Sequence, residues 1–406
     1  MSTSSLTRVL RIDITGPDHP GVTHALTAIL APRDVRILDL GQAVIHDALA
    51  LGMLVEITEE IRSSTLLTDL LMEAHRLGVQ IRFTAITEEE YDSWVIEQSK
   101  ARYIISILGR SLSASHLAAV SGVIASAGLN IDRIDRLSSR TSLDERAQRV
   151  CIELAASGPA QSEDDMRAAL LALTQTLDVD IAFQHDNVYR RNRRLVAFDM
   201  DSTLIQTEVI DELARLAGVG DQVASITEAA MRGELDFQQS FRRRVSLLKG
   251  LPESALNDVV ARVPLMDGAE RLITTLRKLG YKTAILSGGF TFMGRELQRR
   301  LGIDHLHSNE LDIRDGVVTG EVKTEIVDGQ RKAHYLGELA RAEGLSMEQV
   351  IAVGDGANDL PMLKLAGLGI AFRAKPLVRQ SANHAISTLG LDGILYLLGV
   401  RDREAL

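Results

Sequence analysis

The chain has 406 residues, of which 45% are hydrophobic and 25% charged, and its formal net charge at pH 7 is −10. Because typical domains have roughly 100 to 200 residues, this length predicts two to four domains with several buried cores. The acidic balance argues against a nucleic-acid or membrane-surface binder, since either would need a basic face. We therefore expect neither nucleic acid nor membrane among its partners.

Three local features bear on location. The single cysteine, Cys151, excludes an intrachain disulfide and a thiolate metal cluster, and its apolar neighbours predict a buried strand residue. No signal peptide is visible in the first twenty residues, and the longest uncharged stretch, residues 111–131, is too interrupted for a membrane span. We expect a cytoplasmic enzyme or regulator. The basic run at residues 190–194 is interpreted as a solvated linker or an interdomain contact.

The first half of the chain contains one pattern twice. Each copy begins with a short strand, Val9 to Ile14 or Tyr103 to Leu108, which reaches a glycine turn at Gly16 or Gly109. A helix, two strands, a second helix and a last strand follow, and this βαββαβ order predicts a ferredoxin-like split βαβ sandwich. Its open edges favour pairing between copies or chains, hence a homodimer or higher oligomer. The predicted bounds are 1–90 and 98–186, with a linker at 187–194.

These two units resemble the ACT domain, a small-ligand regulatory module common in enzymes of amino-acid metabolism. The resemblance implies that serine or a related amino acid binds near the first strand-to-helix turn, at an interface between two modules. The matching turns are "TGPDHPGV", with Gly16 and Asp18, and "LGRSLSAS", with Gly109. Glycine there would let backbone amides approach a carboxylate, but a glycine needed only for the turn explains both positions equally well.

From Leu195 onward, apolar strands alternate with helical patterns. The segments "LVAF", "KTAILS", "QVIAVG" and "GLGIAF" each precede a turn and a helix, which predicts an α/β, Rossmann-like domain with a parallel, doubly wound sheet over residues 195–406. Ligands of such sheets bind beyond the carboxyl ends of the strands. The polar residues and glycine at those ends are Asp199, Asp201, Ser287, Gly288, Asp355, Asn358 and Asp359.

The acidic residues at these strand ends predict a metal site. Asp199 and Asp201 would repel each other, and burial would raise the pKa of at least one unless a cation compensates. Asp355 and Asp359, in "GDGANDL", strengthen that requirement. Oxygen ligands without a His or Cys cluster favour Mg²⁺, which takes few protein carboxylates together with substrate phosphate oxygens.

Two further segments suit a phosphate group. "ILSGGF" offers the Ser287 hydroxyl and glycine amides, and "GQRKAHYL" places Lys332 where it could balance phosphate and carboxylate charge. The ordered set DxD(S/T)T, SGG, K and GDxxND resembles the haloacid dehalogenase superfamily of phosphatases, from Leu195 to about Leu398. That resemblance implies Asp199 as nucleophile, Asp201 as acid and base, Ser287 and Lys332 on the phosphate, the metal on Asp199, the Asp201 carbonyl and Asp355, and Asp359 in support.

The segment between the first two clusters is helical in pattern and is predicted to be a cap, at about residues 212–265, that closes over the substrate. Together with "RRRVSLLKGL" and Thr207-Glu208 it resembles the phosphoserine phosphatase family. The resemblance implies that Glu208 meets the substrate ammonium, that Arg244 clamps its carboxylate, and that Gly288 and Asn358 contribute at the phosphate end.

The resulting hypothesis is Mg²⁺-dependent hydrolysis of O-phospho-L-serine through an aspartyl phosphate, the last step of serine biosynthesis, with amino-acid regulation by the ACT-like modules. Two alternatives stay open at this point. One is a phosphatase of the same superfamily that acts on another small phosphate ester or on phosphoprotein. The other is a non-enzymatic amino-acid sensor. A P-loop nucleotide enzyme is excluded because no GxxxxGK(S/T) segment is present.

Overall fold

The computed structural model describes residues 8–97, 100–142 and 149–405, apart from the side chains of residues 60, 62 and 231. The chain divides into two compact units, residues 1–100 and residues 101–406. None of the helices in the described ranges combines the length and apolarity needed to cross a bilayer.

The first unit is one four-stranded antiparallel sheet with helices on one face. The sheet order is β2-β3-β1-β4, as the repeat pattern predicts. Alternate residues of β3, such as Leu51 and Met53, are buried and pack with Leu66 and Leu70 of α3, four residues apart on one helical face. The elements are β1 Val9–Pro17, α1 Val22–Leu30, β2 Ile37–Ile45, β3 Ala48–Glu56, α2 Glu59–Arg62, α3 Leu66–Leu77, β4 Gln80–Ile86 and α4 Glu88–Glu97.

The second unit begins with another module of the same topology, sheet order β6-β7-β5-β8. Strand β5 is buried on both faces, because Ile105 and Ile107 enter the module's own core while Leu108 packs with the core of the C-terminal domain that begins at Leu195. Cys151 is buried, as predicted. The elements are β5 Arg102–Gly109, α5 Ala114–Ser126, β6 Asn130–Arg136, β7 Val150–Ser157, α6 Glu163–Thr176 and β8 Val179–His185.

The glycines of the two predicted ligand turns have a packing role. A Cβ on Gly16 would lie 2.9 Å from the Cα of Val79, and one on Gly109 would lie 3.0 Å from the Cγ1 of Val179. The two valines occupy equivalent places in the two modules, just before or at the start of the last strand. Close packing therefore accounts for glycine at both turns without a ligand.

The rest of the second unit is built on a six-stranded parallel sheet of order β11-β10-β9-β14-β15-β16. Successive residues of β9 face opposite sides: Val196 and Phe198 enter one core, Leu195 and Ala197 the other, and helices cover both. The strands are β9 Leu195–Phe198, β10 Lys282–Phe290, β11 His305–Asn309, β12 Leu311–Arg314, β13 Val317–Val322, β14 Val350–Gly354, β15 Leu368–Phe372 and β16 His384–Ile386. The helices are α7 Val209–Leu216, α8 Gly220–Met231, α9 Phe237–Ser246, α10 Ser254–Arg262, α11 Ala269–Lys278, α12 Thr291–Leu301, α13 Gly329–Ala342, α14 Leu360–Leu365, α15 Pro376–Ser381 and α16 Ile394–Leu397.

Helices α7 to α10 lie in the segment predicted to be the cap. The antiparallel hairpin β12–β13 packs on this segment, and the Gly250 amide donates to the carbonyl of Val318 at 2.8 Å. The hairpin therefore extends the cap from a second, distant part of the chain. The hairpin was not predicted from the sequence.

Hydrogen bonds and an ion pair hold the second module against the C-terminal domain. The carboxylate of Asp180 on β8 accepts the amides of Ser387 and Thr388 at 2.8 Å each. In the basic run, Arg190 is buried and pairs with Glu153, and Arg193 is buried as well. For these two arginines the solvated interpretation of the run is thus wrong and the alternative, an interdomain contact, is confirmed.

Candidate active site

The site lies where the sheet order reverses, beside the adjacent strands β9 and β14. The amide of Asp199 donates to the carbonyl of Val353 at 2.8 Å, which ties the end of β9 to β14. Carboxyl oxygens of Asp199, Asp355 and Asp359 all lie within 4.8 Å of one another. Ligands bind at this kind of reversal in doubly wound sheets.

Lys332 is the cation at the centre of these carboxylates. It is fully buried on α13, and its Nζ lies 2.9 Å from Asp199 Oδ1 and 2.7 Å from Asp359 Oδ1. Burial alone would lower the pKa of Lys332, but the charges of Asp199 and Asp359 outweigh it and hold that pKa above its usual value. The lysine is therefore a permanent positive charge beside Asp199.

The hydrogen bonds indicate which oxygens are available to a metal. Asp199 uses Oδ1 for the Met200 amide and Lys332, and Asp355 uses Oδ1 for the Thr203 hydroxyl, so Oδ2 of each stays available. Asp359 uses both oxygens, for Lys332 and the Gly356 amide. A purely oxygen donor set fits a hard divalent cation, with Asp199 and Asp355 as ligands and Asp359 holding Lys332.

Asp201 points to a different part of the site. Its Oδ1 accepts the amide of Val209 at 3.3 Å, and a Cβ on Gly289 would lie 2.5 Å from its Oδ2. Burial, then the charges of Glu208 and Asp199, raise the pKa of Asp201 well above its usual range. A carboxyl group that keeps its proton here is suited to protonating a leaving group. The next residue, Ser202, adopts the left-handed conformation with φ 58°.

Ser287 and Gly288 lie in the last part of β10, just before its end at Phe290. Ser287 is buried, and its Oγ accepts the Gly289 amide at 2.9 Å. The Gly288 carbonyl accepts the side-chain amide of Asn309 at 2.8 Å, and Asn309 Oδ1 in turn accepts the amide of Val327 at 2.9 Å. Asn309 thereby links the Ser287–Gly288 part of β10 to the segment that leads into α13.

The cap lies directly over this part of β10. Phe237 of α9 is so close to Gly288 that a Cβ there would lie 2.9 Å from its ring, and the Gln238 side chain donates to Asp328 at 2.8 Å. Phe241 of the cap and Phe290 of the core have ring centroids 5.9 Å apart. The cap is thus in direct contact with the core at this point.

Two side chains of the cap region face the carboxylates. Arg244 is half-buried and its Nε has no hydrogen-bond partner among the described residues, while Arg242 and Arg243 are exposed. Burial lowers the pKa of Arg244, and the charges of Glu208, then Asp211, act in the opposite direction. Glu208 stands at the solvent-exposed mouth of the site, where its Oε1 accepts the Ser202 hydroxyl at 3.0 Å.

The structure brings together most of the residues chosen from sequence. Asn358 lies farther from the centre, half-buried with its side chain against Gly356. Thr203 and Asn309 were missed as site residues, although Thr203 belongs to the DxD(S/T)T motif and its position in that motif was a usable signal. Asn309 is the last residue of the edge strand β11, in "HSNEL", where no local pattern marks it.

The acidity of Asp355 leads to a prediction about metal binding. Burial and the neighbouring Asp199 and Asp359 raise the pKa of Asp355 to about 8 in the metal-free protein. A divalent metal needs the ionised carboxylate, so binding below pH 8 must release a proton, and the affinity should rise up to about tenfold per pH unit between pH 6 and pH 8. Titration calorimetry in buffers of different ionisation enthalpy measures both quantities. A pH-independent affinity without proton release would contradict this assignment.

Comparison with known proteins places the fold and site in a class. Residues 196–364 match the haloacid dehalogenase-like hydrolase family, and residues 8–84 and 101–184 each match an ACT domain family. A haloacid dehalogenase family hydrolase of Salmonella enterica has a similar structure, with a TM-score of 0.62 and 33% identity over 73% of this chain and 98% of that chain. The chain is a haloacid dehalogenase-like hydrolase with two ACT domains.

Near full-length relatives define the family further. The phosphoserine phosphatase of Mycobacterium tuberculosis is 42% identical over 97% of this chain and 93% of the relative, and that of Streptomyces coelicolor is 42% identical with the same coverage. A probable phosphoserine phosphatase of Vibrio cholerae has a TM-score of 0.58 at 36% identity, covering 75% of this chain and 88% of its own. The chain belongs to the phosphoserine phosphatase family.

Proposed function

We propose that the protein is a Mg²⁺-dependent phosphatase that hydrolyses O-phospho-L-serine to L-serine and phosphate in the last step of serine biosynthesis. The observation that carries this is the buried Lys332 held between Asp199 and Asp359, next to free oxygens of Asp199 and Asp355. That arrangement supplies a nucleophile, a balancing cation and metal ligands within one pocket. It supports chemistry on a phosphate dianion rather than a purely regulatory role.

A carboxylate oxygen of Asp199 attacks phosphorus, the bond from phosphorus to the serine oxygen breaks, and Asp201 gives its proton to that oxygen. Asp201 then removes a proton from water, whose oxygen attacks the phosphorus of the aspartyl phosphate and releases Asp199 and inorganic phosphate. Lys332 offsets the repulsion between Asp199 and the phosphate, and Ser287 donates to a phosphate oxygen. Mg²⁺, held by Asp199, Asp355 and the Asp201 carbonyl, would neutralise charge on the phosphoryl oxygens.

Specificity for phosphoserine rests on Arg244 and Glu208. We propose that the Arg244 guanidinium forms a bidentate pair with the substrate carboxylate, which is supported by its Nε having no partner in the described structure. Glu208, at the mouth of the site, would accept the substrate ammonium. Gly288 and Asn358 would contribute at the phosphate end.

Replacing Arg244 by alanine tests this specificity. We expect kcat/KM for phosphoserine to fall about 100-fold, or ~3 kcal/mol, mainly through KM, because one partner of an enclosed charged pair is lost. The rate with p-nitrophenyl phosphate, which lacks the carboxylate, should change little. Arg243→Ala, on the exposed side of the same helix, is the matched control. Equal losses for both substrates would remove Arg244 from the role of carboxylate clamp.

The two ACT domains support regulation by an amino acid such as serine, and the turns at Gly16, Asp18 and Gly109 stay its predicted sites. We also propose a homodimer or higher oligomer. In the first unit, strand β2 lies at a sheet edge and carries exposed apolar side chains, including Leu40 and Ile45, which supports pairing with another sheet. A cytoplasmic location stays a prediction.

A further inference from the structure

A cleft of about 1690 Å³ lies between the second ACT domain and the catalytic domain. One wall is formed by the turn after β5 and by the end of β6. The other is formed by the loops after β15 and β16 and by the residues just before α11. The cleft is distinct from the carboxylate-rich active site, with which it shares no lining residue.

Two arginines in this cleft lack a carboxylate partner within the described ranges. Arg110 donates to the carbonyl of Thr388 at 3.4 Å, and Arg136 donates to two carbonyls of the loop that follows β6. Arg149 on the same wall is different, because it pairs with Asp392. Three carboxylates also line the cleft, and each pairs with an arginine other than Arg110 and Arg136: they are Asp267, Asp392 and Asp402. Arg110 and Arg136 therefore offer guanidinium groups without an ion pair in the described ranges, which suits an oxyanion ligand.

A third arginine connects the cleft to the cap. Arg373 holds a left-handed backbone conformation, φ 45°, which is costly for a residue other than glycine and is found mainly where surrounding structure enforces it. Its guanidinium lies 3.4 Å from the sulfur of Met266 and 3.6 Å from a carboxylate oxygen of Asp267. Arg373 thus contacts the residues through which the chain leaves the cap.

Those residues belong to one of the two connections between cap and core, which together we call the cap hinge. The Met266 amide donates to the carbonyl of Leu204 at 2.9 Å, and the Gln206 amide donates to the carbonyl of Pro264 at 3.1 Å. The two connections between cap and core therefore run side by side as a short antiparallel pair. Leu204 is only three residues beyond Asp201, so a shift at this hinge acts close to the acid-base group.

We propose that this cleft binds a small metabolite carrying carboxylate or phosphate groups through Arg110, Arg136 and Arg373, and that the bound anion changes the cap hinge through Arg373. The wall formed by the loop after β16 is held in place, because Asp180 accepts the amides of Ser387 and Thr388. The inference deepens the proposed regulation by naming a site at the contact between the ACT domain and the catalytic domain. Its binding step does not depend on the phosphatase activity.

Calorimetry on the full chain tests the binding step, with succinate, inorganic phosphate and L-serine as separate probes. Divalent metal is left out so that phosphate is not drawn to the active site. We expect one binding site per chain for succinate or phosphate. The probe that binds with the higher affinity shows whether the site prefers carboxylate or phosphate groups. Arg110→Gln combined with Arg136→Gln should weaken binding at least tenfold, or ~1.4 kcal/mol. Arg133→Gln, on the same strand but paired with Asp135 and outside the cleft lining, should not.

Absence of saturable succinate and phosphate binding, or equal binding by the double variant, would overturn the site. If the double variant still binds serine, the amino-acid effector binds at another site, and the result for succinate and phosphate in this cleft is unaffected. Hydrogen exchange then tests the hinge, because the amides of Gln206 and Met266 bond across it. Their exchange rates should change with ligand in the native chain and not in the double variant. Ligand binding without such a change would disprove the coupling.

Discussion

Replacing Asp199 by asparagine is expected to reduce phosphoserine turnover by at least about 10⁴-fold, because no neighbouring side chain can take over the nucleophilic attack on phosphorus. Asparagine keeps the size of the side chain and can keep the acceptor for the Met200 amide. The substitution also removes one of several mutually repelling carboxylates. It breaks the pair with Lys332, but Lys332 keeps Asp359 at 2.7 Å, so the variant should still fold with a stability close to that of the native chain. Steady-state kinetics and thermal unfolding measure the two effects.

Asp312→Asn is the matched control for this change. Asp312 is a buried carboxylate of the same unit, but it bonds to Thr319 in the β12–β13 hairpin and not to the site. Its replacement should leave the chemical step nearly unchanged. Turnover by Asp199→Asn within a factor of a few of the native rate would remove Asp199 from the nucleophile role.

Replacing Lys332 by methionine is expected to affect both stability and activity. Methionine fills much of the volume but leaves Asp199 and Asp359 buried without their cation, and breaking a buried pair in this way costs about 3–5 kcal/mol of unfolding free energy. Turnover should fall at least about 10³-fold, because phosphate and nucleophile then repel each other without compensation. Chemical denaturation and kinetics on the same preparation measure both losses.

A second substitution separates these two effects. Adding Asp359→Asn to Lys332→Met removes one uncompensated carboxylate, so a large part of the stability should return while the activity stays low. Lys282→Met is the control: this half-exposed lysine lies 3.8 Å from Asp304, and such surface pairs contribute about 0–1 kcal/mol. If Lys332→Met lost no more stability than Lys282→Met, Lys332 would not be the balancing cation described above.

The sequence permitted these predictions because strand ends are local features. In a parallel sheet the carboxyl ends meet at one edge, so "FDMDST", "LSGG" and "GDGAND" had to converge once their strands were recognised. The continuous apolar run from Leu195 to Phe198 likewise indicates that both faces of the sheet are covered, and all four residues are buried. The βαββαβ order likewise predicted the strand order of both small sheets.

Features that depend on distant partners could not be read in this way. The burial of Arg190 becomes intelligible only when Glu153, 37 residues away, is placed beside it. Asn309 matters through its contacts with Gly288 and Val327, and its own neighbourhood carries no recognisable pattern. The β12–β13 hairpin was hidden because its strands are short and lie between two helical segments.

The most direct test is a rapid-quench experiment with phosphoserine and Mg²⁺ on Asp201→Asn, in which the acid-base group is removed but the nucleophile remains. We predict that peptide mass spectrometry will find one phosphoryl group on the peptide containing Asp199 and that hydroxylamine will remove it. Chelation of the metal before mixing should prevent its formation. A phosphoryl group on another residue, or full hydrolysis by the metal-stripped native enzyme, would contradict the account.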